Sequence, residues 1–445
     1  MTTAATALDR LALSDWYRRI RQRSRHLFDL VQPEAYFSRP IALRHPIVFY
    51  EGHLPAFSVN TLVKKGLGRP GVDDALERLF ARGIDPEDEA DASRSRRTEW
   101  PTRDEVQRFA DACDALVLDA LANAPLEQAG HPLLHDAQAV YTILEHEAMH
   151  QETMLYMWHQ LPYDHKRAPG GAGPDIAGAT PAPARVMVPA GRATLGARPG
   201  EIRFGWDNEF PGAVVGVPAF EIDVHNVTNE QFLAFVEAGG YQRPEFWTPS
   251  AFAWVQGEGI EHPRFWTRQH RAWQWRGMFD EIDLPPAWPV YVSQAEAAAY
   301  ARWAGARLPT EAEYHRAAFA EPSGRERQYP WGEAQPNASH GLFDFRSWNP
   351  VAVGRHPAGQ SAWGVHDLIG NGWEWTSTTF APFDGFRPME SYPEYSADFF
   401  DGQHVVMKGA SPSTDAALLR RSFRNWFRPT YPYVYAAFRG VRPVE

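Results

Sequence analysis

His146-Glu147-Ala148-Met149-His150-Gln151-Glu152 sets two histidines four residues apart. On a helix, that spacing puts both imidazoles on one face, within reach of one metal ion. Neutral imidazole is the commonest metal ligand. The plain alternative is a pair of histidines on an ordinary polar face. The same letters also spell H-E-x-x-H, in which Glu147 would be the general base of a zinc metalloprotease. The extended protease signature needs Gly and His further on, where Thr153 and Tyr156 stand. H-x-x-x-H-x-E, ending on Glu152, fits better as the late helix of a bundle whose third ligand comes from an early helix. His53, in Phe49-Tyr50-Glu51-Gly52-His53-Leu54-Pro55-Ala56-Phe57, is the candidate, with His45 and His135 as alternatives. Three imidazoles leave open positions for substrate and O2, as a non-heme Fe(II) oxygenase requires.

Outward from this stretch the first half of the chain reads as helical. Residues 134–161 form one long candidate helix. Residues 9–30 carry Leu11, Leu13, Trp16, Ile20, Leu27 and Leu30 among arginines. Residues 103–122 bring Val106, Phe109, Cys113, Leu116, Val117 and Ala120 round at helical spacing. A fourth helix is expected over 44–64, with limits blurred by Pro46 and Pro55. Four such stripes predict a helical bundle over 1–166. Residues 167–184, rich in Pro, Gly and Ala, read as a linker. From 185 to 445 short strand-like runs (184–195, 213–217) alternate with turns and two helices, 228–238 and 293–304. Ser293 and Glu296 form a capping box for the second of these. This half predicts an α+β domain.

The chain has 445 residues, 44% of them apolar and 22% charged, a globular balance of about two or three domains. A net charge of −11 without a basic stripe speaks against nucleic acid as a partner. The lone Cys113 excludes a disulfide framework or a paired-thiolate metal site. No apolar run suits a membrane span, and Met1–Arg10 lacks a signal-peptide profile, so a cytoplasmic location is expected.

Further motifs carry a resemblance. Val188-Pro189-Ala190-Gly191, Trp206-Asp207-Asn208-Glu209 and Val227-Thr228-Asn229-Glu230-Gln231-Phe232 come first. Arg307-Leu308-Pro309-Thr310-Glu311-Ala312-Glu313 and Gly370-Asn371-Gly372-Trp373-Glu374-Trp375-Thr376 follow in order. The second half resembles the C-type-lectin-like fold of the formylglycine-generating (sulfatase-modifying) enzymes, and the first half a DinB-like four-helix bundle. The pair, in this order, resembles the ergothioneine sulfoxide synthases and their selenoneine synthase relatives. Those enzymes use non-heme Fe(II) and O2 to join sulfur or selenium to the imidazole of hercynine.

The resemblance implies His53, His146 and His150 as iron ligands and O2 as co-substrate. His53 is followed by Ala56-Phe57-Ser58-Val59, where the family usually has Trp-Phe-Phe-Glu. It implies Tyr392 and Tyr395 as a catalytic pair near the iron, with Tyr392 the proton donor. It implies Asn425, Trp426 and Phe427 around the hercynine head, where aromatic faces suit a quaternary ammonium. Met149 stands where the family's substrate-binding Gln is usual. Trp100-Pro101 replaces an Arg-Pro pair whose Arg holds donor carboxylates in the thiol-γ-glutamyl branch, and Phe427 replaces that branch's Asp, although some thiol-using members also carry an aromatic there. Gly409-Ala410-Ser411-Pro412 departs from Gly-Gly-Ser-Trp. Trp100 could stack on a sugar, although Arg94, Arg96 and Arg97 could supply cations from shifted positions. These departures favour a selenosugar donor, with cysteine or another thiol as the runner-up. The second half has no cysteine and cannot itself generate formylglycine. Readings of other classes are a metal-dependent DinB-type thiol transferase and a non-catalytic lectin-like binding module.

Overall fold

A computed structural model of the chain describes residues 8–81, 99–171 and 173–444. Two compact units form: Met1–Gly170 with Glu390–Tyr392, and Gly171–Met389 with Pro393–Glu445. Arg94, Arg96 and Arg97 lie outside the described residues.

In the first unit, α1 (Arg10–Asp29) begins at Asp9, whose side chain accepts from the Ala12 amide. Next come α2 (Ile47–Ser58) and α3 (Asp74–Leu79). The helix α4 (Arg103–Asn123) is started by the Thr102/Glu105 capping box, and α5 (Gln138–Gln160) follows. One apolar stripe on α4 (Val106, Phe109, Cys113, Val117) is buried, as its spacing predicts; α1 buries Leu13, Tyr17, Ile20 and Leu27, but of its expected apolar positions Leu11 is exposed and Trp16 half-buried. The expected helix over 44–64 is instead α2 from Ile47, running directly into a π-helical stretch, Val59–Gly66. Pro46 caps α2. Pro55 lies inside it, where it lacks the N–H that would reach back to the Glu51 carbonyl. Nearly every residue of α2 is buried, so it carries no stripe that periodicity could mark.

A polar cluster ties three helices of this bundle. Arg21 Nε donates to Asp114 Oδ1 at 2.7 Å, and Arg21 Nη1 to Glu147 Oε1 at 3.0 Å. Tyr17 Oη donates to the same Asp114 oxygen at 2.9 Å. Buried charges are tolerable only when paired and hydrogen-bonded, as here.

The second unit is built from small sheets. Strands β1 (Arg185–Val188), β4 (Phe220–Asp223) and β12 (Val441–Pro443) form an antiparallel sheet. Strands β2 (Gly191–Leu195) and β3 (Ala213–Val217) form a hairpin. Strands β5 (Trp266–Gln269), β6 (Ala272–Arg276) and β7 (Glu281–Asp283) form a meander. The four-stranded sheet runs β10 (Asn425–Phe427), β9 (Val405–Ala410), β8 (Gly372–Thr379) and β11 (Ala436–Ala437), with only β8 and β11 parallel. The helices Asn229–Glu237, Gln294–Trp303 and Glu311–Phe319 each start on a capping box, the second through Ser293 and Glu296 as expected. The expected strand over 184–195 is two strands, broken at Pro189-Ala190.

The sequence motifs of this half are chiefly framework. Glu374, on β8, forms a fully buried bidentate pair with Arg439, which also donates to the carbonyls of Asp223, Val224 and His366. Arg316 donates to the carbonyls of Pro189, Ala190 and Arg192, and a Cβ on Gly191 would collide with its guanidinium. Glu209 accepts from Arg420 and Ser422. Asp207 accepts from Ser396, which in turn accepts from Asn208 Nδ2 at 3.0 Å. That last set seats the turn Glu394–Ala397, which carries Tyr395.

Candidate metal centre

His146 and His150 share one face of α5, and α2 presents His53 towards them. One ring nitrogen from each lies within 4.8 Å of the other two. The ring centroids are 5.1 Å apart for His53–His146 and His53–His150, and 4.4 Å for His146–His150. His53 Nδ1 lies 2.8 Å from the Phe80 carbonyl oxygen. A carbonyl can only accept, so the proton sits on Nδ1 and Nε2 keeps its lone pair. His53 Nε2, His146 Nε2 and His150 Nδ1 are buried without a hydrogen-bond partner among the described residues. Orphaned nitrogens at this spacing suit a metal ion.

Burial lowers the His53 pKa to about 4. Burial, and then the neighbouring histidines, push His146 well below the usual imidazole range. His150 is lowered likewise by burial, then His53, Arg44 and His45. Three imidazoles held neutral are three ligands ready for a cation. Phe57, one turn after His53, stacks on His146 at 3.5 Å between centroids and 9° between planes. Phe49 stacks on His53 at 4.9 Å.

His45 stacks on Phe49 and is outside the three-histidine cluster. His135 sits on a 3-10 turn, 61% exposed, beside Asp136. Tyr392, in the segment that groups with the first unit, packs its ring 6.1 Å from His146 and 5.4 Å from Phe57. Met149 is half-buried on α5 next to His150. Trp100 packs edge-on to Phe49 and stacks on Phe80.

In the second unit Tyr395 stacks on Trp206 at 3.9 Å and meets Trp426 edge-on at 5.3 Å. Trp426 also stacks on Phe380 at 4.2 Å. Asn425 turns its Oδ1 to the Trp426 amide at 2.8 Å. Phe427 stacks on Tyr431 at 5.0 Å. Asn425, Trp426 and Phe427 are all half-buried, leaving part of each side chain accessible.

Residues 174–444 match the sulfatase-modifying factor enzyme 1-like domain, and residues 17–154 match the DinB superfamily. The hercynine oxygenase of Mycolicibacterium thermoresistibile is 36% identical over 418 residues, 91% of this chain and 88% of that one. That of Mycolicibacterium smegmatis is 33% identical over 457 residues, 99% of each. That of Mycobacterium tuberculosis is 34% identical over 415 residues, 90% of this chain and 91% of that one. The chain belongs to the hercynine oxygenase family. It is thus an oxygenase-type enzyme with a DinB-like helical unit followed by a formylglycine-generating-enzyme-like one.

Within this hercynine oxygenase family member, Glu147 has no part in a protease site. It is fully buried, points away from the histidines' face, and accepts from Arg21 and from Ser24 Oγ at 2.6 Å. Among the described residues, no helix is long and apolar enough to cross a membrane. The sequence reading missed Phe57 and Phe80. Phe57 was visible as the residue four after His53. Phe80 acts through a backbone carbonyl, which no side-chain pattern marks.

Proposed function

We propose that this chain uses Fe(II) and O2 to join a chalcogen to the imidazole carbon of hercynine, with a selenosugar as the preferred donor. The observation that carries the reading is the cluster of three neutral histidines. His53, His146 and His150 would hold the iron, which supplies activation of O2 when bound. Tyr392, whose ring lies 6.1 Å from that of His146, would supply its phenol O–H as a proton donor to the reaction. The half-buried face of Trp426, with Asn425 beside it, would receive the trimethylammonium head and carboxylate of hercynine.

Two observations support a donor without carboxylates. Trp100, where the thiol-γ-glutamyl branch carries its arginine, is set against the Phe49 and Phe80 rings. Arg103, three residues on, is held by Glu51 and Asp29 at 2.9–3.3 Å. A thiol donor is the second reading, favoured by the likeness to fungal relatives named ergothioneine biosynthesis protein 1, since ergothioneine carries sulfur. The buried, free Cys113 suits the cytoplasm, the location included in the proposal.

Oxygen uptake tests the reading. It should require Fe(II), hercynine and a donor together, and His150→Ala should abolish both iron binding and uptake. Full uptake in His150→Ala would refute the site.

A further inference from the structure

The chain leaves the second unit for three residues, Glu390–Tyr392, which group with the helical one. Ser391 lies at the middle of this strap and is buried, as is Thr142 on α5. Their hydroxyl oxygens are 3.0 Å apart. Thr142 Oγ1 also lies 2.9 Å from the Gln138 carbonyl, which can only accept. The single Thr142 hydroxyl hydrogen therefore goes to Gln138, and Ser391 donates to Thr142. The result is a directed chain from the Ser391 hydroxyl through Thr142 to the carbonyl of Gln138.

Thr142 precedes His146 by four residues, one turn along the same helix face. Tyr392 follows Ser391 directly, and its ring meets His146 and Phe57 edge-on. Phe57 lies flat on His146. The strap is thus pinned one turn from a histidine of the cluster, and the pinned residue is bonded to the tyrosine. A buried hydroxyl pair is directional, whereas ring packing tolerates sliding.

We propose that Thr142 and Ser391 are positioning residues that seat Tyr392 beside the three-histidine centre, and that carbon–chalcogen joining depends on that seat. The inference rests on the function proposed above for its chemical half; the seat itself does not. Ser391 touches no reacting atom and acts through Tyr392.

Two measurements on the full chain test it. The first is hydrogen–deuterium exchange of the metal-free protein. Ser391→Ala and Thr142→Val should each speed exchange of the 386–393 segment by about threefold or more, while 144–155 is unchanged and Ser391→Thr restores the wild-type rate. The second is product partition in the iron-loaded enzyme: donor joined to hercynine against donor merely oxidised. Ser391→Ala should lower the joined fraction by roughly fivefold, with the KM for hercynine within about twofold of wild type. In a Tyr392→Phe background the same substitution should have no further effect on partition. Unchanged exchange in Ser391→Ala, or an equal loss of joined product with and without Tyr392, would overturn the proposal. If the wild-type enzyme forms no hercynine adduct, the function proposed above fails. Exchange then decides the seat alone, faster exchange upholding it and unchanged exchange overturning it.

Discussion

His53 Nδ1 donates to the backbone carbonyl of Phe80 at 2.8 Å, and this bond leaves Nε2 as the ring's lone-pair donor. The ring of Phe80 occupies the space that a Cβ on Gly52 would need. One short contact, between helix α2 and the residue that closes α3, therefore sets both the tautomer and the direction of a candidate iron ligand.

Gly52→Ala tests that relationship with the sign of helix propensity against it. Alanine favours a helix by about 1 kcal/mol over glycine. Here its methyl would push Phe80 away and loosen His53. Affinity for Fe(II), measured by anaerobic titration, should fall roughly tenfold, a usual cost of disturbing a ligand's hydrogen-bond partner. Unchanged affinity would show that the Phe80 carbonyl does not orient His53.

Glu147 separates the oxygenase reading from the protease one. Its carboxylate is buried against Arg21 and Ser24. Burial raises its pKa, and Arg21 and then the Ser24 hydrogen bond oppose that rise. Glu147→Ala should destabilise the bundle by about 3 kcal/mol, because it opens a buried ion pair. Glu147→Gln, once folded and iron-loaded, should turn over within about threefold of wild type. Loss of turnover in a folded, fully loaded Glu147→Gln would assign the carboxylate a chemical role.

Much of this architecture is legible from the sequence, and the failures have physical causes. The helices α1 and α4 each bury one face, so their apolar spacing marks them within one residue. The helix α2 is buried on all sides and passes into a π-helix, so neither its limits nor the orientation of His53 follow from periodicity. The spacing of His146 and His150 declares a shared face. The Phe80 carbonyl and the Thr142–Ser391 pair, 249 residues apart in the chain, leave no local pattern. In the second unit the motifs that contain Gly191 and Glu374 are sequence-visible, yet their work is to hold the framework together, through Arg316 and Arg439, which no motif marks.

Trp426→Ala should raise the KM for hercynine by roughly 3- to 30-fold, the range of a lost cation–π contact. Its KM for the donor should stay within about twofold. Hercynine KM unchanged would remove Trp426 from the ammonium site. A parallel rise for both substrates would point to collapse of the ring cluster in which Trp426 stacks on Phe380 and meets Tyr395 edge-on.

Asp367 gives the second unit a pH signature. Burial raises its pKa from 3.8 to about 6, against a hydrogen bond from the Gly354 amide. The folded protein therefore favours the protonated acid. That contribution to stability is complete below pH 3.8 and is lost as the pH rises through about 6. The loss is roughly 3 kcal/mol. Asp367→Asn should raise the unfolding temperature at pH 7.5, with the gain shrinking towards pH 4. A gain independent of pH, or a loss at pH 7.5, would show that Asp367 is needed as an anion.

The most direct measurement is product mass after anaerobic Fe(II) loading and exposure to O2. The mixture would hold hercynine with equimolar cysteine, γ-glutamylcysteine and 1-selenoglucose. The expected product is a hercynine adduct bearing the selenium isotope pattern and formed only with iron present. A sulfur adduct alone would keep the iron chemistry and overturn the donor assignment. Consumption of O2 without any hercynine adduct would contradict the central claim.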